Sequence, residues 1–120
     1  YRYYFFFYKI YAVNSVEDYG KCEKFLLLLE ENYFKERTAD FYAEEMGLSK
    51  GYLNLLLRKK TGRTIRSHID ERIITESKRL LCKTDLSVEA IAVEMGFNSL
   101  VAFSKLFKRI AGVSPSKFRK

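Results

Sequence analysis

Residues 39–62, ADFYAEEMGLSKGYLNLLLRKKTG, and residues 88–112, VEAIAVEMGFNSLVAFSKLFKRIAG, are two versions of one pattern. Each opens with a short apolar-periodic stretch carrying a small residue at its middle, Ala43 or Ala92. Each continues with Glu-Met-Gly and an apolar residue, then about a dozen helix-forming residues. Each closes on a basic run and a glycine: Arg58-Lys59-Lys60 before Gly62, and Lys108-Arg109 before Gly112. A small residue lets two helices cross closely, and glycine accepts the left-handed backbone of a tight turn. The pattern therefore predicts a helix-turn-helix unit. The second helix would keep one face for the core, offer the other outward, and set its basic end where phosphates could lie. One such match is a weak signal; two in tandem are a much stronger one.

The remaining chain reads as helix on both sides of these units. Residues 14–20, NSVEDYG, have linker and turn composition. From Lys21, the residues Cys22, Phe25, Leu26, Leu29 and Tyr33 recur at three- and four-residue steps and predict an amphipathic helix. Thr38, Ser49, Ser87, Ser99 and Ser114 stand where helix N-caps belong, and Pro115 follows the last of them at the first helical position. Between the repeats, Ile65, Ile69, Ile73 and Leu80 mark a long helix from about Thr64 to Cys82. The expected fold is all-α. Residues 21–63 form a first helix-turn-helix subdomain, 64–83 a connecting helix and 84–120 a second subdomain, about seven helices in all. Residues 1–20 are read as a linker and the remnant of a preceding domain. Eight aromatics in the first eleven positions make residues 1–13 apolar on every face. They lack the basic polar face of a membrane-surface helix, and the opening Tyr1 suggests a piece of a longer protein.

Charge separates the two ends. Residues 1–48 hold six Lys/Arg and nine Asp/Glu, while residues 49–120 hold sixteen and six, a net +10 within a chain total of +7. A polyanionic partner is the natural consequence. Cys22 and Cys82 are too few and too far apart for a disulfide framework or a metal clamp, and they suit a reducing cytoplasm. Both are read as small core residues. His68 has no second histidine, so packing or a hydrogen bond is its expected role. No apolar run reaches 18 residues. No nucleophile–base pair, metal set or phosphate loop is evident, so an enzyme and a cofactor are not expected.

The second repeat and its continuation carry a family resemblance. Leu86-Ser87, Ile91-Ala92 and Gly96-Phe97 are followed by Phe103, Phe107-Lys108, then Gly112, Ser114-Pro115-Ser116 and Phe118-Arg119. In this order and spacing they resemble the DNA-binding region of the AraC/XylS family of bacterial transcription regulators, which commonly has Tyr where this chain has Phe118. Met46-Gly47-Leu48-Ser49, Tyr52-Leu53 and Lys60-Thr61-Gly62 fit the same family in the first repeat. The resemblance runs from about Lys24 to Lys120. It implies two helix-turn-helix subdomains joined by the middle helix, double-stranded DNA as partner, and no catalysis. For the whole protein it implies RNA polymerase as a further partner and leaves dimerisation open, with the present stretch monomeric. Gly51, Leu55, Leu100, Val101 and Ala102 depart from the family's more polar reading positions. Readout is therefore expected to rest on few polar side chains plus apolar contact with thymine methyls.

The base-contacting candidates are Lys50, Tyr52, Asn54, Leu55 and Arg58 in the first motif, with Asn54 suited to a bidentate contact with adenine. In the second they are Ser99, Leu100, Ala102, Ser104 and Lys105. Lys59, Arg63, Lys108 and Arg109 are phosphate candidates, which position a protein without reading sequence. A helix from Thr64 to Cys82 is ~28 Å long, against the ~34 Å between successive major-groove segments on one face of DNA. One chain could therefore set both motifs in successive grooves. Two rivals remain: a recombinase- or sigma-factor-like helical module, and a basic interaction module that binds an acidic protein, or a membrane through residues 1–13.

Overall fold

Five hydroxyl side chains begin helices where the sequence places them. Thr38 Oγ1 accepts from the Phe41 amide at 3.3 Å, Ser49 Oγ from Tyr52 at 3.1 Å and Ser87 Oγ from Ala90 at 3.0 Å. Ser99 Oγ accepts from Ala102 at 3.2 Å and Ser114 Oγ from Lys117 at 3.3 Å. Each bond satisfies an amide that the first helical turn leaves open, a contribution of about 1 kcal/mol apiece. In this computed structural model, residues 16–120 are described, and every element among them is helical: α1 (Val16–Asn32), α2 (Ala39–Glu45), α3 (Lys50–Thr61), α4 (Ile65–Lys83), α5 (Val88–Glu94), α6 (Leu100–Ala111) and α7 (Pro115–Arg119). The aromatic stretch 1–13 lies outside the described residues.

The chain divides into two compact units. The first takes in α1, α2, α3 and the start of α4 as far as His68. Its core joins Cys22, Phe25, Leu26 and Leu29 of α1 to Tyr42 and Ala43 of α2 and Leu53, Leu56 and Leu57 of α3. His68 is buried there, with Nε2 2.8 Å from Thr61 Oγ1 and its ring edge-on to Phe25. The histidine therefore has the packing and hydrogen-bonding role expected of it. The second unit takes in Tyr33–Arg37 and Ile69–Lys120. Ile73, Ile74, Ile91, Ala92, Phe103 and Phe107 form its centre. The Arg37 guanidinium lies 3.9 Å from the ring centre of Phe97, and that of Arg72 4.3 Å from Tyr33. The helix expected to connect the subdomains thus contributes residues to both cores.

Three expectations need correction. Residues 16–20, read as linker, form the first turns of α1. Burial of Tyr19 against the first unit outweighs the modest helix cost of Gly20. Cys82 is exposed, whereas Cys22 is fully buried. Loss of water around Cys22 pushes its thiol up to about 11, against a smaller opposing pull from the charge of Lys60. Leu80 is half-buried, and the neighbouring Leu81 takes the core position near the end of α4.

Both ends of α4 are held by side chains from elsewhere in their own unit. Asn54 Oδ1 accepts from the Ile65 amide at 2.9 Å, and Thr64 Oγ1 accepts from Ser67 at 3.2 Å. At the other end Arg119 donates to the Leu81 carbonyl at 3.0 Å and to the Thr84 carbonyl at 3.3 Å. A cation at a helix C-terminus also complements the helix dipole.

Candidate nucleic-acid interface

α3 and α6 are the same structure fifty residues apart. Each has twelve residues, a serine N-cap (Ser49, Ser99) and a left-handed glycine C-cap (Gly62, Gly112). The turns before them differ by one residue. Leu48 alone separates Gly47 from Ser49, while Phe97 and Asn98 separate Gly96 from Ser99. The extra residue lets Phe97 turn into the core, edge-on to Phe103 at 5.3 Å.

This equivalence orders the outward faces. At about 100° per residue, Gly51, Leu55 and Arg58 share the outermost strip of α3. Val101, Lys105 and Lys108 share that of α6. All six are exposed. Leu53, Leu56 and Leu57 on α3 and Phe103 and Phe107 on α6 occupy the buried side. The side chains of Arg58, Lys59, Lys105 and Lys108 are exposed and make no hydrogen bond or ion pair among the described residues. Their charges are available to an anion outside the protein.

Other candidates are partly or wholly occupied. Lys50 Nζ lies 3.2 Å from Asp40 Oδ1, an exposed pair worth little in water. Tyr52 is exposed along one side, with its hydroxyl 3.4 Å from Lys21 Nζ. Arg63 is half-buried in the loop between α3 and α4. Arg109 donates to Asp70 at 3.3 Å while most of its side chain stays exposed. Leu100 and Ala102 are exposed at the margins of the outward face, and Ser104 is half-buried.

Two base-contacting candidates also hold their own helices in place. Asn54 Oδ1 accepts from the Ile65 amide, and an amide group keeps a second lone pair and its Nδ2 donors for a base. Asn54 thereby ties α3 to the start of α4. Ser99 Oγ accepts from the Ala102 amide as the N-cap of α6, which leaves its hydroxyl proton to donate. The basic run of the first motif is also shorter than it looks, because Lys60 is turned inward at 2% exposure. It stands two residues beyond Arg58, more than half a turn of the helix away. Val101, 63% exposed, was missing from the candidates. The fifty-residue register could have found it, because it places Val101 opposite Gly51 at the centre of the outward strip.

A family profile described as a helix-turn-helix domain matches residues 42–120. The Msm operon regulatory protein of Streptococcus mutans is 36% identical over 93 residues, 78% of this chain and 34% of that protein. The transcriptional activator AarP of Providencia stuartii is 34% identical over 94 residues, 78% of this chain and 70% of the activator. The present chain thus spans about a third of the first relative. Among solved structures, the DNA-binding domain of the global transcriptional factor AdpA, in complex with a target DNA, superposes with a TM-score of 0.74. It is 25% identical, over 81% of this chain and 87% of that one.

Proposed function

The chain belongs to the AraC-type helix-turn-helix family, and on that premise we propose that it binds double-stranded DNA sequence-specifically as the DNA-binding part of a transcription regulator. The observation that carries this reading is the pair of equivalent helices α3 and α6. Each has an exposed outward strip with exposed cations, Arg58 and Lys59 on α3 and Lys105 and Lys108 on α6. In this reading the outward residues of each helix meet base edges in a major groove. Lys50, Tyr52, Asn54, Leu55 and Arg58 serve the first motif; Ser99, Leu100, Val101, Ala102, Ser104 and Lys105 serve the second. Lys59 and Lys108 meet phosphates, joined by Arg109, whose contact with Asp70 fixes its direction. Arg63 adds charge at the margin. No side chain is assigned a catalytic role. RNA polymerase contact and dimerisation belong to the whole protein, and a cytoplasmic location follows from the function. No helix among the described residues is long and apolar enough to cross a membrane.

Alanine variants test the division of labour by gel mobility shift on sites selected from a random pool. Lys105→Ala or Arg58→Ala should relax sequence preference, at about 1–3 kcal/mol for a lost base contact. Lys59→Ala or Lys108→Ala should weaken binding to every sequence about equally and reduce the salt slope by roughly one unit. If all four variants behave alike, the assignment of reading and phosphate residues is wrong.

A further inference from the structure

Gly51 has no reason for being glycine within its own unit. Its backbone is helical, and a Cβ built on it would meet nothing within 4 Å. Glycine inside a helix is a poorer choice than almost any other residue, so the fold gains nothing from the missing side chain. What the missing side chain leaves is a notch. Gly51, Asn54, Leu55, Arg58 and Lys59 line a shallow open depression on the outward side of α3. Long helical side chains lean toward the helix N-terminus, over the residue four positions earlier. Leu55, 65% exposed, therefore forms an apolar wall beside the space at Gly51. Arg58 and Lys59 supply positive charge one turn further along.

We propose that this notch is the specificity-determining site of the first motif, and that it receives the 5-methyl group of a thymine. The inference rests on the DNA-binding reading above. A small, apolar, open recess beside free cations fits an apolar group carried on a polyanion. The thymine methyl is the one such group that a base edge presents in the major groove. A polar base edge would leave its donors and acceptors facing Leu55 without partners. The absent side chain lets the helix approach closely, and Leu55 makes the contact.

The test uses the 120-residue chain and a duplex selected by it from a random pool. Each thymine of the selected site is replaced in turn by uracil, which removes only the methyl. At one or more positions affinity should fall about fourfold, the value of one buried methyl at ~0.8 kcal/mol. Leu55→Ala should abolish that sensitivity, and Leu27→Ala, at an exposed leucine of α1 outside both motifs, should leave it intact. Gly51→Met has open space for its side chain and a better helix former than glycine. It should melt at the same temperature or higher, yet lose discrimination between thymine and uracil at the same position. Binding that ignores every uracil, or a uracil effect unchanged by both Leu55→Ala and Gly51→Met, would overturn the notch while leaving DNA binding in place. Failure to select any duplex would instead overturn the DNA-binding reading, and the notch with it.

Discussion

Gly96→Ala should lower the stability of the second unit by about 2–4 kcal/mol, where Gly112→Ala loses only about 1–2 kcal/mol. Both glycines have left-handed backbones, with φ of +81° and +87°, and an added Cβ is penalised at each. The surroundings differ. Nothing lies within 4 Å of a Cβ at Gly112, whereas at Gly96 it would collide with the carbonyl oxygen of Phe34. A backbone oxygen cannot swing aside as the end of a long side chain can. The segment Tyr33–Arg37 would have to lift from the turn, and with it the stacking of Arg37 on Phe97. Urea unfolding with amide hydrogen exchange measures the two variants together. Equal losses would mean that the 33–37 segment does not press on the turn.

Salt should act on DNA affinity with comparable force. Residues 49–120 carry a net +10, and Arg58, Lys59, Lys105 and Lys108 are all exposed. With about five to seven phosphates neutralised, the log–log slope of affinity against salt should be roughly −4.5 to −6. Between 50 and 200 mM salt that is a loss of about 500- to 4,000-fold. The counterions released are those of the phosphates, so the slope should hardly depend on the DNA sequence. A gel-shift series across salt concentrations measures it. A slope near zero would remove the phosphate-facing role from these cations.

Much of the architecture was legible because its signals are local. A cap joins a hydroxyl to an amide three residues on, and the repeated Glu-Met-Gly turns and trailing glycines mark both motifs directly. The features that escaped join distant residues. Asn54 stands on α3 where a base reader would, and its bond to the Ile65 amide joins it to a residue eleven positions away. Gly96 is recognisable as a turn glycine, yet the pressure of Phe34 on it comes from more than sixty residues earlier. Residues 16–20 have loop composition, and only the core behind Tyr19 makes them helical. Lys60 is a different case. Its inward direction follows from the helical period alone, and the visual weight of three consecutive cations hid it. The outward strips were only half legible, since Val101 emerges once the fifty-residue register is fixed by both sets of caps.

The central claim is that one chain brings two reading helices to DNA. Hydroxyl-radical footprinting at one chain per selected duplex tests it most directly. The outward strips Gly51-Leu55-Arg58 and Val101-Lys105-Lys108 differ, so the two halves of the site should differ in sequence. Two protected patches about one helical turn apart, on a non-palindromic site, are expected at 1:1 stoichiometry. A single patch, or a symmetric footprint that forms only when two chains bind, would contradict the claim and leave one of the two motifs outside the groove.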